Sequence, residues 1–343
     1  MHKILIALDS VGIDPLGHDR PESVYSQSRF LFPRGAEGEV LDVAIARWRG
    51  ALVETEVVEE NDRGAIECAI TYTSIFSGRS AVREHGLMRG LGLKERLLEQ
   101  LVTSENLFRR FEQSCLANAL FPAHLEFFGN SYVQDRISHF DRDQVEQGLT
   151  YHGRPVSFRG AQKNGFAELF TLAEINQNIF VFAAREAGVT LRTWQDVRQG
   201  QALTSSMTHE LEGDFDVAFF GQEPLPPRTP ERAAEILGGL SRDHDFTFYK
   251  YQIPDLVSHT GQVESARAVF AVIERFIEAV LAAVDPAETV VIVTSDHGHL
   301  EQLSSSRGHP GSKVPTWYFG AEPDRFVERL QRPEGIFHAL VAS

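Results

Sequence analysis

Short, wholly apolar runs alternate along the chain with longer stretches in which apolar residues recur every three or four positions. The first pattern marks strands buried on both faces and the second amphipathic helices. Ile4-Leu5-Ile6-Ala7-Leu8 follows Lys3 and breaks into Asp9-Ser10-Val11-Gly12. Thr289-Val290-Val291-Ile292-Val293-Thr294 breaks in the same way into Ser295-Asp296-His297-Gly298. Each predicts a buried parallel strand whose carboxyl end delivers polar side chains to one edge of a sheet. Weaker strand patterns lie at residues 117–121, 216–220, 245–251 and 314–319.

The clearest helix spans residues 262–284, where Val263, Ala266, Phe270, Ile273, Ile277 and Leu281 form one apolar face. Residues 91–111, 166–186 and 229–240 also read as helices, the last with Thr229 as N-cap and Pro230 in its first turn. Strands alternating with helices predict an α/β fold, a sheet covered on both faces. Residues 125–215 fit this scheme poorly, being polar and poor in strand patterns, and read as an insertion over the sheet or its active site. The core is then residues 1–124 and 216–343.

With 343 residues, 42% apolar and 24% charged, the chain is neither disordered nor fibrous. Its 33 basic and 48 acidic residues leave a net charge of -15. That field repels nucleic acid and anionic membranes, and a small anionic substrate could enter only where a local cation reverses its sign. Two cysteines, Cys68 and Cys115, are too few for a disulfide framework. The first apolar run is too short for a signal peptide or a membrane span, so a cytoplasmic location is expected.

Asp255 and His259 are four positions apart just after Pro254, a spacing that puts both on one helical face as ligands for one cation or as an ordinary surface pair. Asp296 and His297 end the strongest strand of the C-terminal half, and His309 follows on the glycine-rich Arg307-Gly308-His309-Pro310-Gly311. With Asp9, three carboxylates and three imidazoles come from separate segments, an oxygen and nitrogen set suited to two divalent ions, zinc most naturally and manganese as the alternative.

The ordered set formed by Leu8-Asp9-Ser10-Val11-Gly12, Asp255 with His259, Ser295-Asp296-His297-Gly298 and His309 before Val314-Pro315 resembles the alkaline phosphatase superfamily, in particular its phosphoglycerate-mutase-like and phosphopentomutase-like metalloenzymes. The resemblance covers most of the chain and is weakest in the insertion. It implies an alkaline-phosphatase-like, mostly parallel sheet. It also implies that Asp9, Asp296 and His297 hold one metal together with the nucleophile, while Asp255, His259 and His309 hold the other. Two such ions clamp the attacking and leaving oxygens of an in-line displacement.

Members of this superfamily place a serine or threonine about ten residues before a Ser/Thr-Gly pair, at the start of a helix. Here the pair is Ser77-Gly78, and counting back reaches Cys68. Cys68 is then a thiolate nucleophile or metal-bridging thiolate, with zinc and a helix N-terminus lowering its pKa. Alternatively it is a small buried hydrophobe, with Thr71, Thr73 or Ser74 supplying a hydroxyl, or the hydrolytic chemistry has been lost. The related sulfatases oxidise a cysteine within Cys-x-Pro/Ala-x-Arg, and Cys68-Ala69-Ile70-Thr71-Tyr72 lacks both the small third position and the arginine.

Arg79, Lys250, Arg307 and Lys313 lie beside these motifs and are candidate anchors for an anionic group, or ordinary surface charges. His85 and His299 are candidate partners that orient ligands. The resulting expectation is a metal-dependent hydrolase, less readily a mutase, acting on a phosphoryl or related ester or anhydride group. The alternative is a metal-binding protein without that chemistry that works through a ligand or partner.

Overall fold

The two strongest apolar runs become neighbouring central strands. The computed structural model describes residues 1–32, 48–57, 68–81, 83, 102–119, 150–151, 154–155, 179–209, 225–258, 261–303 and 313–343. In chain order its elements are β1 (His2–Leu8), β2 (Gly50–Glu56), α1 (Cys68–Ser77), β3 (Ser114–Leu116), β4 (Thr150–Tyr151), β5 (Arg154–Pro155), α2 (Ile179–Glu186), α3 (Trp194–Arg198), α4 (Pro230–Arg242), β6 (Phe246–Tyr251), α5 (Ile253–Ser258), α6 (Val263–Ala283), β7 (Thr289–Ser295), β8 (Lys313–Phe319), α7 (Val327–Leu330) and α8 (Pro333–Ala342).

Among the described residues six strands form one sheet in the order β2-β8-β7-β1-β6-β3, and β4 pairs with β5 separately. Strands β7, β1, β6 and β3 run parallel, whereas β8 is antiparallel to both of its neighbours. Alternation along each strand splits the core in two. Ile4, Ile6, Leu8, Tyr249, Tyr251, Val291 and Val293 face α4 and α6. Leu5, Ala7, Phe246, Phe248, Val290 and Ile292 face the other way, against Ile75 and Phe76 of α1, Phe180 of α2 and Leu340 of α8. The fold is therefore α/β, with a mostly parallel sheet and helices on both faces.

The long helix forms as its periodicity predicts, with Gln262 and Val284 as its end caps. Thr229 caps α4 by accepting a hydrogen bond from Arg232 N. Two expectations shift. Helix in the 91–111 stretch, described only from residue 102, stops at Ser104; Asn106 accepts from Phe108 N and starts a 3-10 turn, Leu107–Arg110, while its amide donates to Ala183 O. A polar side chain that caps a new turn ends the helix there. The strand expected at 117–121 runs instead over Ser114–Leu116, and Asn118 and Ala119 leave β6 to bridge Leu203 and Arg192. The strand expected at 216–220 lies outside the described residues. Of the expected insertion, residues 179–209 are largely described, and Ile179, Phe180, Val181, Ala183 and Ala184 pack into the core beside α1.

Gly78 closes α1 at φ +67°, with its N–H donating to Ser74 O. A Cβ there would lie 2.7 Å from the Phe337 ring of α8. Gly78→Ala is expected to lose about 2 kcal/mol from left-handed strain and overpacking together, read as a lowered midpoint of urea unfolding. An unchanged midpoint would mean that α8 moves freely away from α1.

Candidate metal centre

Register decides which side chains meet. Leu8 pairs with Tyr251 on one side and Ser295 on the other, so Asp9 and Asp296 leave adjacent strands at the same level. Asp9 is two residues past Ala7 and Asp296 two past Thr294, the partner of Ala7 in β7; Lys250 is the partner of Ala7 in β6. All three therefore lie on the Ala7 face, the side covered by α1. Cys68 is the first residue of that helix.

The result is a buried cluster. One donor atom from each of Asp9, Cys68, Asp296 and His297 lies within 4.8 Å of the others. Cys68 Sγ is 3.2 Å from His297 Nε2, which is 3.3 Å from Asp9 Oδ1 and 3.8 Å from Asp296 Oδ1. Lys250 Nζ is 2.8 Å from Asp9 Oδ2 and 3.7 Å from Asp296 Oδ2. Its ammonium also lies over the Tyr72 ring, with Nζ 5.0 Å from the centroid. Asn118 fixes the Lys250 backbone, donating to its carbonyl and accepting from its N–H, each at 2.8 Å.

Ser10 links this cluster to Asp255. Its hydroxyl donates to Asp255 Oδ1 at 2.5 Å and lies 3.2 Å from His297 Nδ1, while its N–H points to Asp296 Oδ1 at 3.3 Å. Ser10 adopts φ +68°, a left-handed conformation uncommon outside glycine that turns the chain sharply after Asp9. Asp255 stands in the first turn of α5. Ser258, three residues on, donates to the Asp255 carbonyl and lies 2.8 Å from His299 Nδ1. Glu301 Oε2 accepts the N–H groups of Gly12 and His299 at 2.9 and 3.0 Å, tying together the two loops that carry the cluster.

Burial and neighbouring charge set the protonation. Burial alone would raise Asp9, but Lys250 and His297 outweigh it and hold this carboxyl below its ordinary value. Asp296, with the ammonium farther away, is raised by burial and by Asp9. Burial opposes a charged His297, yet Asp296, Cys68 and Asp9 hold its pKa well above the ordinary value. Burial, then Asp296, pushes the Cys68 thiol up to about 12. The polypeptide by itself therefore keeps the thiol protonated, and a thiolate there needs an added cation.

The residues fit such a cation. Asp9 Oδ1 and Asp296 Oδ2 are buried without a well-formed hydrogen bond; each meets a cationic group only at ion-pair distance, His297 Nε2 at 3.3 Å and Lys250 Nζ at 3.7 Å, and keeps capacity to ligate a cation. Two carboxylate oxygens, a thiol and an imidazole are the donor set that zinc accepts in four-coordinate sites.

The other expected site residues fall in different places. Asp255 joins the cluster through Ser10, while His259, His309 and Arg307 lie outside the described residues, as does His85. Arg79 is exposed beyond the far end of α1, whose ten residues span ~15 Å, so it does not meet Cys68. Lys313 opens β8, exposed, with its ammonium 2.7 Å from Glu54 Oε2. Lys250 is buried, and its charge faces the carboxylates of the cluster rather than open solvent. Of the alternative hydroxyls, Thr71 donates to Asp296 O and Ser74 to Ile70 O within the helix. Ser10 and Glu301 were not singled out from the sequence; the break of an apolar strand into Asp-Ser-Val-Gly was the one available hint for Ser10.

Fold and cluster together define an α/β protein with a candidate metal centre at the ends of its parallel strands. The family model of the Metalloenzyme superfamily matches residues 230–342, the part of the chain that runs from α4 through Asp255, Asp296 and His297 to α8. Among curated proteins the chain is similar to the 2,3-bisphosphoglycerate-independent phosphoglycerate mutase of Roseobacter denitrificans, 24% identical over 54% of this chain and 43% of that protein. It is also similar to the enzyme of the same name from Dinoroseobacter shibae, 28% identical over 36% of this chain and 28% of that protein. The chain thus matches less than half the length of these relatives. Among solved structures, the PH0037 protein of Pyrococcus horikoshii superposes with a TM-score of 0.50 at 16% identity, covering 99% of this chain and 96% of that one, a likeness of fold. The resemblance read from the sequence is borne out to this extent: residues 230–342 match the Metalloenzyme superfamily, and about half of the chain is similar to 2,3-bisphosphoglycerate-independent phosphoglycerate mutases. Among the described residues no helix is long and apolar enough to cross a membrane.

Proposed function

We propose that this protein is a metal-dependent phosphoryl-transfer enzyme acting on a small anionic phosphate ester or anhydride, with Cys68 as its attacking group. The observation that carries the reading is the convergence of Asp9, Cys68, Asp296 and His297, with two buried carboxylate oxygens that make no hydrogen bond, under the first turn of α1. Those four residues would hold one divalent ion, zinc most naturally and manganese as the alternative. Asp255, His259 and His309 would hold a second. When bound, such ions neutralise developing charge on the transferred group and favour the thiolate.

The remaining work falls to the chain. Cys68 Sγ, set at the helix start, forms the bond to phosphorus as the ester P–O bond breaks and the leaving oxygen takes a proton. Water then cleaves the S–P bond in a hydrolase, or a substrate hydroxyl does so in a mutase. Ser10 and Glu301 hold the strand-end loops in register through this sequence. Hydrolysis needs no lid to retain the phosphoryl group, whereas the names of the curated relatives favour the mutase.

Purified protein is expected to carry about two equivalents of zinc or manganese, and to turn over a chromogenic phosphate ester in a way that a chelator abolishes and added metal restores. Phosphoryl migration within a phosphorylated hydroxy acid, without phosphate release, would identify the mutase. Metal without either reaction would favour a binding protein that has lost the chemistry, and absence of both would refute the proposal.

A further inference from the structure

The buried Lys250 has no place in a metal site assembled only from acidic, imidazole and thiol ligands, yet it is the charged group nearest to Asp9. Its ammonium is 2.8 Å from Asp9 Oδ2 and 3.7 Å from Asp296 Oδ2, and Lys250 is 6% exposed. Tyr72 and Phe180 face it with their rings at 5.0 and 5.8 Å, and Asn118 clamps its backbone. Nothing about this side chain suggests a mobile substrate anchor, because every neighbour holds it facing inward. The two Asp9 oxygens thereby differ, Oδ2 taken by the ammonium and Oδ1 facing only the metal-ligand candidate His297, whose Nε2 is 3.3 Å away.

We infer that Lys250 is a permanent cationic member of the cluster, keeping Asp9 Oδ2 while a dication takes Asp9 Oδ1 with Asp296, Cys68 and His297, and thereby setting how tightly that ion is held. This deepens the metal-dependent reading above and rests on it. Charge arithmetic supports the arrangement: two carboxylates and a thiolate carry three negative charges, which one dication and one ammonium balance in a largely buried site. Two opposing effects act on metal affinity. The ammonium holds the Asp9 carboxylate in place, which helps, but it also stands beside any ion on Oδ1 and repels its double charge, which hinders. An uncharged side chain of similar length in its place removes that repulsion and leaves both Asp9 oxygens to the ion, so the repulsion is the larger effect. Lys250 is then a positioning residue that holds the ion loosely and leaves it electrophilic.

The test is titration of chelator-stripped protein with Co2+ at pH 8, following the sulfur-to-cobalt charge-transfer absorbance, for wild type, Lys250→Met and Lys250→Arg. The Met variant is expected to bind at least about tenfold more tightly than wild type, and the Arg variant to stay near wild type. A folded Met variant with equal or weaker affinity would overturn the inference while leaving the metal reading intact. Uptake by Met but not by wild type would support the lysine's role and remove the metal-dependent reading for the native chain. No uptake by either would overturn both. Should Lys250→Met fail to fold, a crystal structure of zinc-loaded wild type decides. The ammonium must remain within about 3.2 Å of Asp9 Oδ2 beside the ion, and its withdrawal from both carboxylates would refute the role.

Discussion

Cys68→Ala is expected to lower the turnover of a phosphate ester by about 10³-fold or more, with metal retained less tightly. The thiol is 3.2 Å from His297 Nε2 and belongs to the four-donor cluster, whereas Thr71 and Ser74 have hydroxyls bonded to backbone carbonyls. None of those hydroxyls is set to replace it. Cys68→Ser separates its two duties. An oxygen at the helix start retains a nucleophile of nearly the same reach but loses the soft sulfur donor, so esterase activity should survive in part while the sulfur-to-cobalt absorbance disappears. Burial and Asp296 push the free thiol to about 12, so activity without metal should be negligible at neutral pH in wild type. If both variants kept wild-type turnover and wild-type metal content, Cys68 would be only a packing residue of α1.

Glu301→Gln is expected to change the pH dependence of stability more than any other conservative substitution near the site. Burial raises this carboxyl from 4.5 to about 8, against the hydrogen bonds from Gly12 and His299 that lower it. A folded-state value above the unfolded one means that the native protein binds the proton more tightly. The stabilisation from the protonated form is complete below about pH 4.5, and it is lost progressively as pH rises through about 8. Glutamine still offers an oxygen to both N–H groups and carries no charge to bury. Relative to wild type, the variant should therefore gain about 4 kcal/mol between pH 5 and pH 9. In chelator-treated protein that difference should appear as a melting temperature roughly 5–10 °C higher at the alkaline end. Parallel melting curves across this range would show that Glu301 is already ionised in the native state. The same group joins the loops after β1 and β7, so Glu301→Ala should loosen the metal site as well.

Local pattern was enough for much of this architecture. The apolar runs 4–8 and 289–294 become β1 and β7, the 262–284 periodicity becomes α6, and Thr229 with Pro230 starts α4, because side-chain period and capping chemistry act within a few residues. The polar breaks after the two strands likewise marked Asp9, Asp296 and His297 as candidates, since parallel strands deposit such residues at one edge. The single cysteine at the head of α1 was legible from its spacing to Ser77-Gly78. Less was legible where an element depends on a distant partner. The stretch 179–209 reads as polar insertion, yet Phe180 and its neighbours find a core face only against α1 and β6. The break of the helix at Ser104 follows from Asn106 reaching Ala183 O, 77 positions away.

What the chain's own order determined, then, is which strands carry chemistry at their ends, because hydrophobic runs and their polar stops are properties of neighbouring residues. What only the tertiary structure decided is the company those residues keep. Ala7 pairing with Lys250 and Thr294 puts an ammonium between two aspartates. The turn at Ser10 brings Asp255 to His297, and Glu301 finds Gly12 across 289 positions. A one-residue slip in either pairing would turn Lys250 or Asp296 to the opposite face of the sheet. Register is fixed by the burial of whole strands, and no single segment contains it.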